Sequence, residues 1–152
     1  MANISEVWAT AIRYGYTLRG AIEFGDIYWD ENELVGPAFI SAYRLESEVA
    51  RVSRIIVSSK LNKVLSDLAT DHPGDITDHL IANFRKDVDG YVIVNPHILG
   101  HSDEERESLV ESLRSLASNT PNHLIKEKYA SLISMLSDKA RVSINHHELG
   151  VY

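Results

Sequence analysis

Cysteine is missing from all 152 residues, and with it go disulfides, thiolate nucleophiles and the strongest zinc sites. Any metal would have to be held by carboxylates or histidines. Long apolar runs are missing too: nothing approaches the roughly 18 consecutive apolar residues of a membrane span. The opening MANISEVWATAIRYGY lacks the charged head, apolar stretch and small-residue cleavage site of a signal peptide. The expectation is a cytoplasmic protein with no membrane partner. Basic residues are scarce, 15 against 22 acidic ones for a formal charge of −7. That balance disfavours nucleic acid as a partner, because sequence-independent binding needs a basic surface to displace phosphate counterions. No Walker or Rossmann phosphate loop, no GxSxG elbow, no internal repeat and no low-complexity linker occurs.

What is present suits one globular domain with a real core: 44% hydrophobic and 24% charged residues. Ile4, Val7, Trp8, Ala11 and Ile12 fall at helical spacing and predict an opening helix that ends near Gly15. From Leu18 the period becomes two, with Ile22 and Phe24 on one face and Ile27 and Trp29 taking over after Gly25, as a bulge would produce. Asp30, Glu31 and Asn32 form a turn, Leu34 and Val35 a return strand, and Gly36-Pro37 opens a helix with proline at its tolerated first position. RIIVSS then reads as a strand and KLNKVLSDLA as a helix striped by Leu61, Val64, Leu65 and Leu68, capped by Ser58 or Ser59. TDHPGDITDH, from Thr70 to His79, reads as a surface loop. FRKDVDGYVIVN predicts a hairpin turning at Asp89-Gly90. Leu109, Leu113 and Leu116 mark a helix opened by Ser102 or Asp103, and Ile125, Tyr129, Leu132 and Leu136 mark a second after Thr120-Pro121. Strands and helices in this order argue α+β.

The helix that begins at Pro37 poses a question. Ala38, Ala42, Leu45 and Val49 share the stripe that packs inward, yet Ile40 and Arg44 lie opposite, with Phe39 and Tyr43 on the flank. Apolar and aromatic residues on the outward side point to a second surface that something covers.

The run LRGAIEFGDIYWDENELVGPAFISAYRLESEVARVSRIIVSS resembles the second half of a class III nucleotide cyclase catalytic domain, with its GIHxG strand, return strand, VNxAxRLE helix and ILVS strand. It is closer to a divergent bacterial branch carrying RGGIAYG, GPALIEAYELE and RIVVS. A fainter likeness links EKYASLISMLSDKARVSINHHE to the KYxWLxxYHN ending of that branch. The resemblance implies a partial ferredoxin-like sheet of antiparallel strands with helices on one face, plus a C-terminal helical pair. Residues 1–152 would form a single cyclase-homology domain, with an α+β core over 1–100 and a helical extension over 101–152, lacking the strands that carry the metal-binding aspartates.

In that family two half-sites meet across a head-to-tail dimer. One holds two metal ions by paired aspartates, and the other offers an asparagine and an arginine that stabilise charge on the phosphoryl group. By resemblance Arg44 takes the arginine position, Ile40 the asparagine position and Pro37 that of the base-reading aspartate. Loss of one transition-state donor costs on the order of 10²- to 10³-fold in rate, so the expectation is a catalytically incomplete cyclase-like chain. It would associate with itself or with a protein carrying the missing half, through Phe39, Ile40, Tyr43 and Arg44. It would hold no cofactor of its own, and Mg²⁺ or Mn²⁺ only when completed by a partner half. Two alternatives stay open: a genuine or split cyclase acting on ATP, GTP or a pyrimidine triphosphate, and a nucleotide-sensing module.

No metal site is expected here. Asp26 and Asp30 read as solvated carboxylates beside a turn, His97 and His101 straddle Pro96 and Gly100, and His146 and His147 are adjacent and diverge. Arg44 also has a plain reading as an i,i+4 partner of Glu48, and Arg19 as a partner of Glu23. Trp8 and Trp29 read as core or interface fillers.

Overall fold

The computed structural model describes residues 4–99 and 102–137, the side chains of Ser5 and His97 excepted. His101, His146 and His147 lie outside the described residues. The fold is mixed α+β, and the described chain forms two compact units. One is helical and takes in the described residues up to Leu18 together with those from Asn95 onward; the other is a sheet unit from Arg19 to Val94. The opening helix therefore belongs with the C-terminal helices, and the division expected at residue 100 is replaced by a sheet unit inserted within a helical one.

The helical unit starts with α1 (Ile4–Arg13), whose Trp8 and Ile12 are wholly buried. Gly15, at φ 84°, ends it: its N–H donates to Ile12 O and that of Tyr16 to Ala11 O. This bond pair needs a left-handed residue and satisfies two terminal carbonyls. Helix α1 packs on a 3₁₀ turn (Pro96–Leu99) and on α5 (Asp103–Asn119), which packs along α6 (His123–Ser137). Ser102 caps α5 by accepting from the Glu105 N–H at 3.1 Å. Leu109, Leu113, Leu132 and Leu136 fill the interior. The Tyr129 hydroxyl donates to Gly15 O at 3.0 Å, tying α6 to the end of α1.

The sheet unit runs β1 (Gly20–Ile22), β2 (Tyr28–Trp29), β3 (Leu34–Val35), α2 (Pro37–Glu48), β4 (Ile55–Val57), α3 (Ser59–Asp71), α4 (Asp75–Ile81), β5 (Phe84–Lys86) and β6 (Val92–Val94). The four-stranded sheet has the order β1-β4-β6-β5, while β2 and β3 form a separate two-stranded ribbon. Strands β1 and β4 pair in parallel, Gly20 opposite Ile55 and Ile22 opposite Val57; the β4–β6 and β6–β5 pairs are antiparallel. The sheet is thus mixed rather than antiparallel throughout, because α2 carries the chain back to the same end before β4 begins. All three residues of β4 and of β6 are buried, as the central strands of a covered sheet are. Val57 and Val92 pack with Leu65, Ala69 and Ile81 of the helices.

Two local departures from the sequence reading have identifiable causes. The single kinked strand expected from Leu18 to Trp29 is broken at Glu23, where its carboxylate accepts both the Phe24 N–H at 2.8 Å and the Ser58 hydroxyl at 2.6 Å. The ladder stops there and β2 leaves for the ribbon. The loop expected over Thr70–His79 contains the start of α4, which buries Thr77 and Ile81 and is anchored by the Thr77 hydroxyl donating to His72 O at 2.6 Å.

Candidate functional site

Helix α2 starts at a constrained junction. Gly36 has φ 143°, and a β-carbon there would stand 2.7 Å from Asp26 O and 2.9 Å from Ile27 Cα. Only glycine lets the main chain pass that close. Pro37 follows at the first helical position, exposed. From this start the register is determined: Ala38 is buried, Ala42, Leu45 and Val49 are half-buried, and Phe39, Ile40, Tyr43 and Arg44 are exposed. Ile40 is 51% and Tyr43 64% exposed. The structure thus brings the sequence-predicted residues Phe39, Ile40, Tyr43 and Arg44 to open positions on one helix.

Arg44 makes no ion pair among the described residues, so the Glu48 partnership does not form. It lines a cleft of about 600 Å³ with Glu23, Ser41, Glu48, Ser59 and Tyr91. Pro37 and Ile40 do not line this cleft, and neither side chain carries a group able to donate a hydrogen bond. Arg19 pairs with Glu46 at 2.5 Å and not with Glu23. The packing of α2 on β1 brings Glu46 within reach, while Glu23 is engaged by Ser58. That Ser58 hydroxyl also accepts the Leu61 N–H at 3.0 Å, capping α3, and places the Glu23 carboxylate at the positive end of α3.

Among the described residues no three carboxylates or histidines come together as a metal-binding group. Asp30 spends its oxygens on the Asn32 and Glu33 N–H groups, at 2.8 and 2.9 Å, and on the Tyr28 hydroxyl at 2.9 Å. The Asn32 N–H, then the Tyr28 hydroxyl and the Glu33 N–H, hold its carboxyl below the ordinary carboxylate value. It is a turn former, and Asp26 contributes its main-chain carbonyl to the Ala38 N–H.

One polar cluster has no counterpart in the sequence reading. Arg54, at the head of β4, is buried, and its guanidinium reaches Asp87 and Asp89 at 2.6 Å each and Val49 O at 3.2 Å. It also lies 6.0 Å from the centre of the Tyr91 ring. Burial pushes the Asp89 carboxyl up, but the Arg54 hydrogen bond and charge outweigh it and leave Asp89 below its ordinary value. The available signal was an arginine opening an otherwise apolar strand, with two carboxylates flanking a predicted turn. Those groups lie 33 and 35 positions along the chain, beyond the reach of local pattern. Gly90, at φ 91°, completes that turn by donating to Asp87 O at 3.0 Å, which aims both carboxylates at Arg54.

No family model matches the chain, and neither the curated proteins nor the solved structures provide a match.

Proposed function

We propose that this chain is a catalytically incomplete, nucleotide-cyclase-like protein that works by association, with the outward side of α2 as its docking surface. The sheet unit is read as the C-terminal half of a ferredoxin-like cyclase domain. The order strand, ribbon, α2, strand follows the motifs on which the resemblance rests. The observation that carries the reading is the exposure of Phe39, Ile40 and Tyr43 on a helix whose opposite stripe already faces the sheet unit. An apolar helix face left open in this way marks an interaction surface. Arg44 retains the position of the transition-state arginine, while Ile40 and Pro37 carry no group able to replace the asparagine and aspartate.

Purified protein incubated with Mn²⁺ and each common nucleoside triphosphate is expected to yield no cyclic product above a buffer blank. Sedimentation tests the docking surface. Wild-type protein should run heavier than a single chain, alone or with its partner, and Tyr43→Glu and Arg44→Ala should return it to monomer mass. Unchanged mass in both variants would make the α2 face an ordinary surface. The cleft beside Arg44 favours one second reading, a nucleotide-sensing module, with Ser41, Ser59 and Tyr91 as further contacts. Three carboxylates in the same lining, Glu23, Glu48 and Asp89, oppose a polyphosphate. Thermal stabilisation by millimolar nucleotide would support this reading and its absence would remove it.

A further inference from the structure

The ribbon and the residues just before it carry a run of open apolar side chains. Tyr28 and Trp29 are 58% and 78% exposed, Leu34 and Val35 42% and 49%, and Phe24 and Ile27 just before them 54% and 55%. A two-stranded ribbon is marginal by itself, and a third strand supplies the face it needs to bury. Among the described residues no third strand pairs with β2 or β3, so their outer main-chain edges form a template for one.

Charge indicates what that strand is made of. From Gly20 to Tyr43 the chain carries Glu23, Asp26, Asp30, Glu31 and Glu33, with no lysine or arginine. Glu23 is engaged by Ser58 and Asp30 by its own turn, which leaves Asp26, Glu31 and Glu33 on an exposed rim. Lys60, from α3, stands over the Phe24 ring at 5.9 Å, and among the described residues no ion pair engages Asp26, Glu31 or Glu33. A second copy joining edge to edge would set the acidic rim against its own image, and facing like charges destabilise a strand pair. A cationic strand gains where a copy loses.

We propose that the β2–β3 ribbon is a docking edge for an extended segment of another protein in which apolar residues alternate with lysine or arginine. Main-chain bonds to the ribbon edge would hold the segment. Its apolar side chains would cover Trp29 and Leu34, a cross-strand pair on one face of the ribbon, and its cations, on the opposite face beside Tyr28 and Val35, would meet the acidic rim. This rests on the reading of the sheet unit as an association module, yet the two fail separately: Tyr43→Glu reports on α2 through mass, and Trp29 reports on the ribbon.

Trp29 is a built-in probe, because the other tryptophan, Trp8, is 0% exposed. The full chain is titrated with a short peptide of alternating leucine and lysine, and in parallel with one of alternating leucine and glutamate. The lysine peptide should move Trp29 emission to the blue, with an affinity that falls as salt is raised. A Glu31→Lys/Glu33→Lys variant should bind it on the order of tenfold more weakly; if that variant does not fold, the salt series on the wild type still decides. The glutamate peptide should leave the emission unchanged. Equal response to both peptides, response to neither, or a blue shift produced by dimerisation of the free chain would overturn the proposal.

Discussion

Arg54 concentrates the electrostatic risk of the sheet unit in one side chain. Its head group and the Asp87 carboxylate are each 7% exposed, whereas Asp89 is 40% exposed. Removing one member of a buried pair leaves the other charge stranded. Arg54→Met is therefore expected to destabilise the protein by about 3 kcal/mol, read from urea denaturation. Asp89→Asn should cost less than about 1 kcal/mol, because solvent screens the exposed partner. The pH response has a definite sign. A carboxyl whose folded value lies below its unfolded value stabilises the fold above the unfolded value, and that contribution is lost as pH falls through the folded one. The urea midpoint should drop through the acid range in wild type, and less steeply in Asp89→Asn. At this scale the sequence was readable where a residue acts on its neighbours, as with the Ser58 and Ser102 caps. It was silent on Arg54, whose partners arrive only when β5 and β6 fold back.

Among the elements, α2 was the most readable, since its inward stripe and outward face follow from a period that begins at Gly36-Pro37. That beginning can be tested. Gly36→Ala would hold a side chain at φ 143° against the Asp26 carbonyl, and the expected loss is on the order of 2 kcal/mol, measured as a lowered urea midpoint. Gly74→Ala is the control: its φ is 153°, equally demanding, but nothing lies within 4 Å of the added carbon, so it should cost less. The ribbon was predicted as part of one long strand because alternation continues through Gly25. What ends β1 is a side-chain event, the capture of the Phe24 N–H by Glu23, that periodicity does not register. Helix α4, with seven residues, is too short to show a period and is held instead by burial of Thr77 and Ile81.

For the whole molecule, composition and element types pointed correctly to α+β, but the division into units did not follow from chain order. Helix α1 looked like the first element of the sheet core, and its fully buried Trp8 and Ile12 belong to the helical unit instead. Amphipathic spacing says that a face is covered without saying by which partner. Trp8→Ala is expected to cost about 3–5 kcal/mol. Hydrogen exchange should show protection falling in α5 and α6 while the amides of β4 and β6 keep theirs. Equal loss in both sets would contradict the assignment of α1. None of the described helices is long and apolar enough to cross a membrane.

The insertion of the sheet unit between α1 and α5 also bears on how the chain is made. Helix α1 leaves the ribosome well before α5, against which it packs and which begins only at Asp103. At about 5–20 residues per second that interval is on the order of ten seconds. Until then the nascent chain carries the indole of Trp8 without its final neighbours, and any chaperone that binds apolar helices has that long to hold it.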